Sequence, residues 1–324
     1  MRGTFSILFL VTCLHTAVQA TPYKPDPGPY EVLVAKKIAI DVSGRDNPLQ
    51  VHIAYPDGDG PFPLVVLSHG GGCPHGSYSV LSNHWASHGY VVIAPTHKDS
   101  VSEGFSFEKI NPRAMEGVIR SRIQDLSSVL DHLDAIAGSI PGLVDKLDRE
   151  HIVAAGHSMG GAAALTATGL VLENPFTKEK LHSSESRYNV LLLLSEVGHN
   201  PTLPEEPWQY SVIPNFVYTG TDDYGSESRG NTRIPFQYNI LNSMPAAPSP
   251  THYLWVDGVD HYLGGLWCRS DVSGPPDQDG LAILRGVSTV FLDAYTKGNT
   301  EAFSFLSTDE MTDLTDGRAA LSLK

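Results

Sequence analysis

The sequence predicts an α/β protein with a mostly parallel central sheet and helices on both faces. Short, nearly continuous apolar runs, typical of strands buried on both sides, alternate with stretches whose apolar residues recur at helical spacing. Strands that alternate with helices imply right-handed crossovers between parallel strands. Hydrophobic residues make up 41% of the 324-residue chain and charged residues 18%, which favours a packed core over disorder.

Residues 1–20 have the features of a signal peptide. Arg2 supplies a positive start, residues 6–14 form a short apolar run, and the residues at 18–20 predict cleavage before Thr21. A membrane anchor is the alternative, but the apolar run is shorter than the ~20 residues that a spanning helix needs. We therefore predict a secreted or periplasmic protein whose residues 21–324 form a single domain without a membrane-spanning segment.

The first predicted elements form an antiparallel hairpin. Residues 31–41 and 49–55 both alternate around apolar positions, and the segment between them is rich in turn-forming residues. The parallel strands are predicted at 64–67, 91–94, 152–155, 190–194, 216–218 and 253–256. Helices are predicted at 113–136, 159–172 and 281–297, where apolar residues recur at helical spacing or, in the second, on most sides.

The charge balance argues against two classes of partner. The chain has 36 Asp and Glu residues against 22 Lys and Arg residues, a formal net charge of −14, and its basic residues do not cluster. Nucleic acids and anionic membranes are bound by basic surfaces. We therefore predict no nucleic-acid partner, and the composition predicts no particular oligomeric state.

The strongest chemical signal is G-H-S-M-G-G at residues 156–161, between a predicted strand and an Ala-rich helix. This context is typical of the nucleophile elbow of the α/β-hydrolase fold, in which glycines flank a serine held in a strained turn. The amino end of the following helix favours negative charge near the serine. Ser158 is the predicted nucleophile.

A serine hydroxyl needs a base, and on this fold the acid and then the histidine follow the serine in the chain. Asp223 and His261 each follow a predicted parallel strand, so both reach the same sheet edge as Ser158. His261 is expected to accept the serine proton, with the carboxylate fixing its tautomer. Asp223 is preferred over Asp222 because a Gly-x-x-Asp turn is the usual placement; Asp222 stays the alternative.

An oxyanion requires hydrogen-bond donors, which on this fold are backbone N–H groups. The residue after the nucleophile, Met159, is one predicted donor. The other is Gly71, in S-H-G-G-G-C at residues 68–73, with its glycine neighbours as alternatives. Cys73 ends this loop, and Cys268 lies seven residues after His261. We hypothesise a disulfide between them; two free thiols are the alternative.

The histidines do not indicate a metal site. His84 and His88 are four residues apart on a predicted helix, but the metal-binding motif H-E-x-x-H and Cys/His clusters are missing from the sequence. We therefore predict no metal.

The stretch 63–161 resembles the secreted, dienelactone-hydrolase-like and platelet-activating-factor-acetylhydrolase-like branch of the α/β-hydrolases. The residues that carry the resemblance are P-L-V-V-L-S-H-G-G-G (63–72), A-S-H-G-Y-V-V-I-A-P (86–95) and I-V-A-A-G-H-S-M-G-G (152–161). Arg122, Asp125, Trp208 and the T-G-T-D-D turn at 219–223 extend it. The resemblance implies hydrolysis of carboxylic esters by an acyl-enzyme route, without a cofactor.

The substrate is less closely defined by the sequence. The resemblance covers small esters, phospholipids and, in related branches, polyesters; true dienelactone hydrolases use a cysteine where this chain has Ser158, so lactones are not implied. Trp208, Tyr262 and Trp267 are candidates for an aromatic substrate wall, with core packing as the alternative. A serine peptidase and a non-catalytic binding protein on the same scaffold are the competing functions.

Overall fold

The computed structural model describes residues 21–106, 112–173, 178–195, 210–223, 248–265 and 275–324. The predicted signal peptide at 1–20 lies outside these residues. So do Trp208, Trp267 and Cys268, three of the side chains that the sequence suggested for the substrate wall and the disulfide.

Eleven strands occur in the described ranges, and nine of them form one sheet. The strands are β1 (Val32–Ile40), β2 (Leu49–Pro56), β3 (Phe62–Ser68), β4 (Val91–Pro95), β5 (Leu147–His157), β6 (Leu172–Glu173), β7 (Lys180–Leu181), β8 (Val190–Leu194), β9 (Asn215–Asp222), β10 (Thr251–Asp260) and β11 (Ala319–Leu323). The large sheet has the order β1-β2-β4-β3-β5-β8-β9-β10-β11, and β6 and β7 form a separate pair.

The centre of the sheet is parallel and its edges are antiparallel. Neighbouring strands from β4 through β3, β5, β8 and β9 to β10 run parallel. β2 joins β4 antiparallel and pairs with β1 as the predicted hairpin, and β11 closes the other edge antiparallel to β10. Every residue of β3, β4 and β8 is buried, which is why these strands appear in the sequence as continuous apolar runs. The predicted fold class is confirmed.

Helices cover both faces of this sheet. They are α1 (Ser79–Ser87), α2 (Pro112–Asp131), α3 (Leu133–Gly138), α4 (Met159–Ala167), α5 (Gln278–Lys297), α6 (Thr300–Phe305) and α7 (Glu310–Leu314). Apolar residues of α2, α3 and α4 pack in one core cluster, and those of α1, α5, α6 and α7 pack in a second cluster on the opposite face. The sheet therefore lies between two apolar layers, and its strand ends are free to carry the functional groups.

Two predicted helices end or break earlier than the sequence pattern indicated. The predicted helix 113–136 is interrupted at His132, whose ψ of 16° departs from the helical value. The predicted helix 159–172 was too long: α4 stops at Ala167 because Gly169 has a φ of +132°, outside the helical region. Leu172, the last residue of the predicted helix, belongs to β6.

The strand β11 and the short helices α6 and α7 were not predicted from the sequence. β11 has only five residues and is recognisable through its pairing with β10, which is distant in the chain. None of the helices in the described ranges combines the length and the apolar character needed to cross a bilayer.

Candidate active site

The turn at Ser158 joins β5 to α4, and the strand and helix backbones approach each other closely there. Ser158 has φ 54° and ψ −121°, a conformation that L-residues rarely adopt. A Cβ on Gly156 would lie 2.2 Å from the carbonyl oxygen of Gly160, and one on Gly160 would lie 2.1 Å from the carbonyl oxygen of Ser68. Both flanking glycines are therefore required by the close approach of strand and helix, as the elbow interpretation of this motif expects.

Three predicted side chains meet at the carboxyl ends of the parallel strands. Nε2 of His261 lies 2.9 Å from Oγ of Ser158, and Nδ1 lies 2.8 Å from Oδ1 of Asp223. A carboxylate only accepts hydrogen bonds, so Nδ1 carries the proton and Nε2 is left to accept from the serine hydroxyl. This is the arrangement in which the imidazole can remove a proton from Ser158.

Asp223 and Asp222 have opposite environments. Asp222 ends β9 and is exposed, whereas the side chain of Asp223 is only 4% exposed and is turned towards His261. Burial by itself raises the pKa of Asp223. The hydrogen bond and charge of His261 and the hydroxyl of Ser195 outweigh that effect and hold the pKa below its usual value. Asp223 is therefore the charged partner of the imidazole at neutral pH.

The loop after β3 is fixed through the carbonyl group of Gly70. Its oxygen accepts hydrogen bonds from the N–H of Cys73 at 3.1 Å, from Nδ1 of His69 at 2.7 Å and from Nη2 of Arg122 at 3.2 Å. In a trans peptide the following N–H points away from the carbonyl oxygen. The N–H of Gly71 is thus turned away from this cluster, and no acceptor for it occurs among the described residues.

The neighbouring N–H groups of the loop are already engaged. The N–H of Gly70 donates to the hydroxyl of Tyr78 at 3.0 Å, and that of Gly72 points to Oδ2 of Asp99 at 3.5 Å. Met159 is the first residue of α4, a position at which the N–H has no partner inside the helix. Within the described residues, the N–H groups of Gly71 and Met159 are accordingly available as donors.

A buried network of charged groups lies beneath this loop. Arg122 is fully buried and binds Asp99 through two nitrogens, at 2.9 and 2.6 Å, while its Nη1 donates to the carbonyl of His69 at 2.5 Å. The charge of Arg122 holds the pKa of Asp99 below its usual value, although burial acts in the opposite direction. A buried guanidinium that donates hydrogen bonds to the carbonyl groups of two consecutive residues restricts the conformation of the loop.

A second ion pair supports the first from behind. Arg45 contacts both carboxylate oxygens of Asp125 at 2.6 and 2.7 Å, and Asp125 accepts from Nδ1 of His97 at 2.9 Å. Burial raises the pKa of Asp125 to about 6, and the charge of Arg45 acts against this shift. Nε2 of His97 lies 2.8 Å from Oγ of Ser68, the last residue of β3. The network therefore continues to the start of the glycine loop.

His157 connects the glycine loop to the histidine segment. Its Nε2 donates to the carbonyl oxygen of His261 at 2.7 Å, and its Nδ1 accepts from the hydroxyl of Tyr78 at 2.6 Å. Burial, together with the charge of His261, lowers the pKa of His157 to about 3. A neutral ring is required by these two bonds, because each nitrogen has a different role. Tyr78 also holds Gly70, so one chain of hydrogen bonds spans the site.

Comparison with known proteins relates this site to esterases. Residues 26–181, just under half of the chain, match the family model described as Chlorophyllase. The platelet-activating factor acetylhydrolase of Cavia porcellus is 27% identical over 236 residues, covering 60% of this chain and 48% of its own length. Cutinase est2 of Thermobifida alba is 24% identical over 258 residues, with 77% of this chain and 72% of the cutinase covered.

A shorter match adds a third relative. Chlorophyllase-1 of Citrus sinensis is 30% identical over 82 residues, 24% of this chain and 25% of that protein. The three relatives are serine esterases built on one fold, and the sheet order and nucleophile turn of this chain agree with that fold. The chain has the α/β-hydrolase fold. It spans about half the length of the acetylhydrolase that it matches.

The remaining predicted site residues differ in where they lie. Tyr262 is partly buried, and its ring meets that of His261 edge to face, with centroids 5.8 Å apart. Trp208 and Trp267 lie outside the described residues, so the aromatic wall stays a prediction. Cys73 is buried and disulfide-bonded, which overturns the alternative of two free thiols; its partner is not among the described residues.

His84 and His88 make structural contacts. The ring centroids are 4.6 Å apart, and burial lowers the pKa of His84 to about 3. Nε2 of His88 donates to the carbonyl oxygen of Asp26, which anchors the segment before β1. In the described ranges no three His, Cys, Asp or Glu side chains are grouped as a metal site would require.

Several residues that shape the site were not singled out from the sequence. Ser195 follows β8 and contacts both Asp223 and His261. A hydroxyl residue directly after a predicted parallel strand was a usable signal for it. Tyr78 and Asp99 gave no comparable signal, because their partners are distant in the chain and their contacts depend on the folded loops.

Proposed function

We propose that this α/β-hydrolase cleaves carboxylic esters through an acyl-enzyme intermediate, with Ser158 as nucleophile. The proposal depends on one observation, the continuous hydrogen-bonded series of hydroxyl, imidazole and buried carboxylate formed by Ser158, His261 and Asp223. It extends a relationship to esterases that covers only parts of the relatives' lengths.

In the first half of the reaction, Oγ of Ser158 attacks the ester carbonyl carbon while Nε2 of His261 takes the hydroxyl proton. The carbonyl oxygen becomes an oxyanion that accepts hydrogen bonds from the N–H groups of Gly71 and Met159. When the carbon–oxygen bond to the alcohol breaks, His261 gives its proton to the leaving alkoxide. The Asp223 carboxylate stabilises the imidazolium that exists between these two proton transfers.

In the second half, water repeats the same steps on the acyl-enzyme. His261 accepts a proton from water, the resulting hydroxide attacks the acyl carbon, and the Ser158 oxygen leaves with the proton returned by His261. The products are the alcohol and the carboxylic acid, and the enzyme is restored. Because each proton passes through one imidazole, this scheme needs no metal or redox group.

The oxyanion assignment is supported by how the loop is held. The carbonyl of Gly70 is occupied by three donors, which leaves the Gly71 N–H turned the other way and unpaired within the described residues. Donors fixed before the reaction stabilise developing charge without reorganising, and losing one costs roughly 10²–10³ in rate. The engaged N–H groups of Gly70 and Gly72 make Gly71 the better candidate of the three.

The substrates we propose are esters with apolar acyl groups. Val101 is 58% exposed and its N–H donates to the carbonyl of Gly72, so an apolar side chain stands beside the glycine loop. The names of the relatives, an acetylhydrolase and a cutinase, make phospholipid esters and polyesters the first natural classes to examine.

The disulfide at Cys73 supports a location outside the reducing cytosol. We propose that its partner is Cys268, since Cys73 ends the glycine loop and Cys268 follows the His261 segment. A protein secreted or exported to the periplasm meets the oxidising conditions that such a bond requires. Mass analysis of the purified protein with and without reductant tests this pairing, and a peptide linking Cys73 to any other cysteine contradicts it.

The decisive experiment replaces the nucleophile. Ser158→Ala is expected to abolish turnover of p-nitrophenyl acetate and butyrate and labelling by a fluorophosphonate probe, while circular dichroism stays unchanged. Ser304→Ala is the matched control, because this exposed serine on α6 is bonded only to its own helix and should leave the kinetics unchanged. Turnover retained by Ser158→Ala contradicts the proposal.

The same assay defines the substrate. p-Nitrophenyl esters of increasing acyl length, a phospholipid with a short acyl chain and a polyester film form one series. Hydrolysis of a peptide amide at rates comparable to the esters would favour the peptidase alternative. A folded wild-type protein that neither turns over esters nor reacts with the probe would favour a binding protein.

A further inference from the structure

Ser195 occupies the position between the nucleophile and the acid. It directly follows β8, which lies between the strand that ends at the Ser158 elbow and the strand that leads to Asp223. Leu194, the residue before it, accepts the backbone N–H of Ser158 at 3.1 Å. The end of β8 is therefore in contact with both halves of the site.

The backbone of Ser195 is held in an unfavourable conformation. Its φ is +52°, in the left-handed region that favours glycine, and the residue is completely buried. A non-glycine residue persists in this region when the surrounding structure holds it there, and such residues cluster at functional sites. A glycine would fit this backbone more easily but would bring no hydroxyl.

The hydroxyl of Ser195 contacts both members of the acid–base pair. It donates to Oδ2 of Asp223 at 2.5 Å, and its oxygen lies 2.7 Å from Nδ1 of His261. A serine has one proton, so the contact with Nδ1 is one in which Ser195 accepts. The Nδ1–H group is thereby shared between Oδ1 of Asp223 and the serine oxygen.

The carboxylate is consequently held at both oxygens. Oδ1 accepts from His261, and Oδ2 accepts from Ser195 and, at the longer distance of 3.1 Å, from the hydroxyl of Thr219. Without Ser195 the second oxygen would keep only the weaker donor. The carboxylate could then rotate, and its negative charge would interact mainly with the imidazole of His261.

We propose that Ser195 is a positioning residue of the hydrolysis reaction, which fixes the Asp223 carboxylate and keeps the His261 proton on Nδ1. This inference rests on the proposed function. The titratable groups that face the pair within the described residues are His157 from β5, Tyr218 from β9, and Asp260 and Tyr262 beside His261. None of them replaces the hydroxyl of Ser195 as a donor to Oδ2.

The test uses two substitutions that differ in backbone preference. Ser195→Ala removes the hydroxyl and keeps a Cβ, whereas Ser195→Gly removes the hydroxyl and relieves the positive φ. Both should lower kcat for p-nitrophenyl butyrate by about tenfold or more with little change in KM, since a hydrogen bond to a charged group is lost. The acidic limb of the kcat/KM profile should move up by roughly half a pH unit, because a less solvated carboxylate holds the imidazolium more tightly.

A buried hydroxyl elsewhere provides the control. Thr289→Val removes a fully buried hydroxyl on α5 that is bonded to the carbonyl of Arg285, and its pH profile and kcat should match those of the wild type. The pH dependence of fluorophosphonate labelling of Ser158 should show the same displacement in both Ser195 variants, independently of any ester.

The outcomes separate the two proposals. If Ser195→Gly keeps the wild-type kcat and pH profile, the hydroxyl has no positioning role and the inference is overturned, whatever the alanine variant does. If Ser158→Ala is inactive at the same time, the proposed function stands alone. If Ser158→Ala remains active, the proposed function itself fails and the inference fails with it.

Discussion

The two sides of the active site are built from different groups. On the acid–base side, Asp223 is surrounded by His261 and by the hydroxyls of Ser195 and Thr219. On the glycine-loop side, the buried guanidinium groups of Arg122 and Arg45 hold two carboxylates. Asp223 is held by hydrogen bonds from an imidazole and two hydroxyls, whereas the glycine-loop side is held by buried ion pairs.

This difference fits what each side would do in the proposed reaction. In that reaction His261 gains and loses a proton in each half-reaction, so a permanent positive charge beside it would oppose its protonation. The glycine loop takes part in no proton transfer in the proposed reaction, and it has only to hold its N–H groups at fixed positions. A buried ion pair serves that purpose because it is costly to disturb once formed.

The first prediction breaks the acid–base side and carries the largest effect. Asp223→Asn should lower kcat by about 10⁴-fold, because an amide no longer selects the Nδ1–H tautomer of His261. Asp222→Asn is the matched control, since its side chain is exposed at the end of β9, and it should retain nearly full activity. Kinetics with p-nitrophenyl butyrate measure both; equal losses in the two variants would contradict the assignment of the acid.

The second prediction breaks the glycine-loop side. Arg122→Met leaves the buried Asp99 unpaired and should lower the free energy of unfolding by about 3–5 kcal/mol. Asp99→Asn combined with Arg122→Met removes both charges and should recover much of that stability. The kcat of this double variant should still be about 10²-fold below the wild-type value, because the guanidinium that holds the carbonyl groups of the loop is lost.

Denaturant unfolding and ester kinetics on the same samples test this separation of stability from activity. Arg149→Met is the control, because its ion pair with Asp134 is exposed and should contribute little. A double variant with wild-type kcat would show that Arg122 stabilises the fold without positioning the loop.

The third prediction uses pH to weaken the glycine-loop side. Burial holds the pKa values of His69 and His97 well below the usual range, and burial with the charge of His261 lowers that of His157 to about 3. The unfolded chain binds protons at these groups below pH 6.5, so stability should fall as the pH drops, by up to about 1.4 kcal/mol per unit for each histidine.

Asp125 opposes this trend in part. Its pKa of about 6 lies above the unfolded value, so protonation of this carboxyl stabilises the folded state as the pH falls through that range. The net free energy of unfolding should still be lower at about pH 5 than at about pH 7, because these three histidines and His84, whose pKa burial also lowers, act against one carboxyl. A free energy of unfolding that stays constant or rises as the pH is lowered over this range would contradict this expectation. Hydrogen exchange should show the glycine loop losing protection before the end of β8, since His69 belongs to the loop and the N–H of His97 donates to its ring.

The local part of this site could be predicted from the sequence. A strand, a glycine-flanked serine and a helix are adjacent in the chain, so the elbow at Ser158 needed only neighbouring residues. The strands before Asp223 and His261 were recognisable because each is buried on both faces. Gly169 lies just beyond the end of α4, whereas the apolar pattern of the sequence continues to Leu172.

The supporting groups could not be predicted in this way. Arg122 is fully buried, contrary to the usual position of arginine, and its partners Asp99 and His69 lie in two separate loops. β11 likewise depends on β10 for its existence as a strand. These features arise from chain segments that meet only after folding, and no periodicity within either segment reports them.

Leu194 and Ser195 connect Ser158 and Asp223 to the same strand end. The first accepts the backbone N–H of the nucleophile and the second donates to the acid, so two consecutive residues at one strand end secure both. Because of these two contacts, a displacement of this strand end relative to its neighbours is expected to move Ser158 and Asp223 together. The distance between them should then change less than if each were held by a different strand.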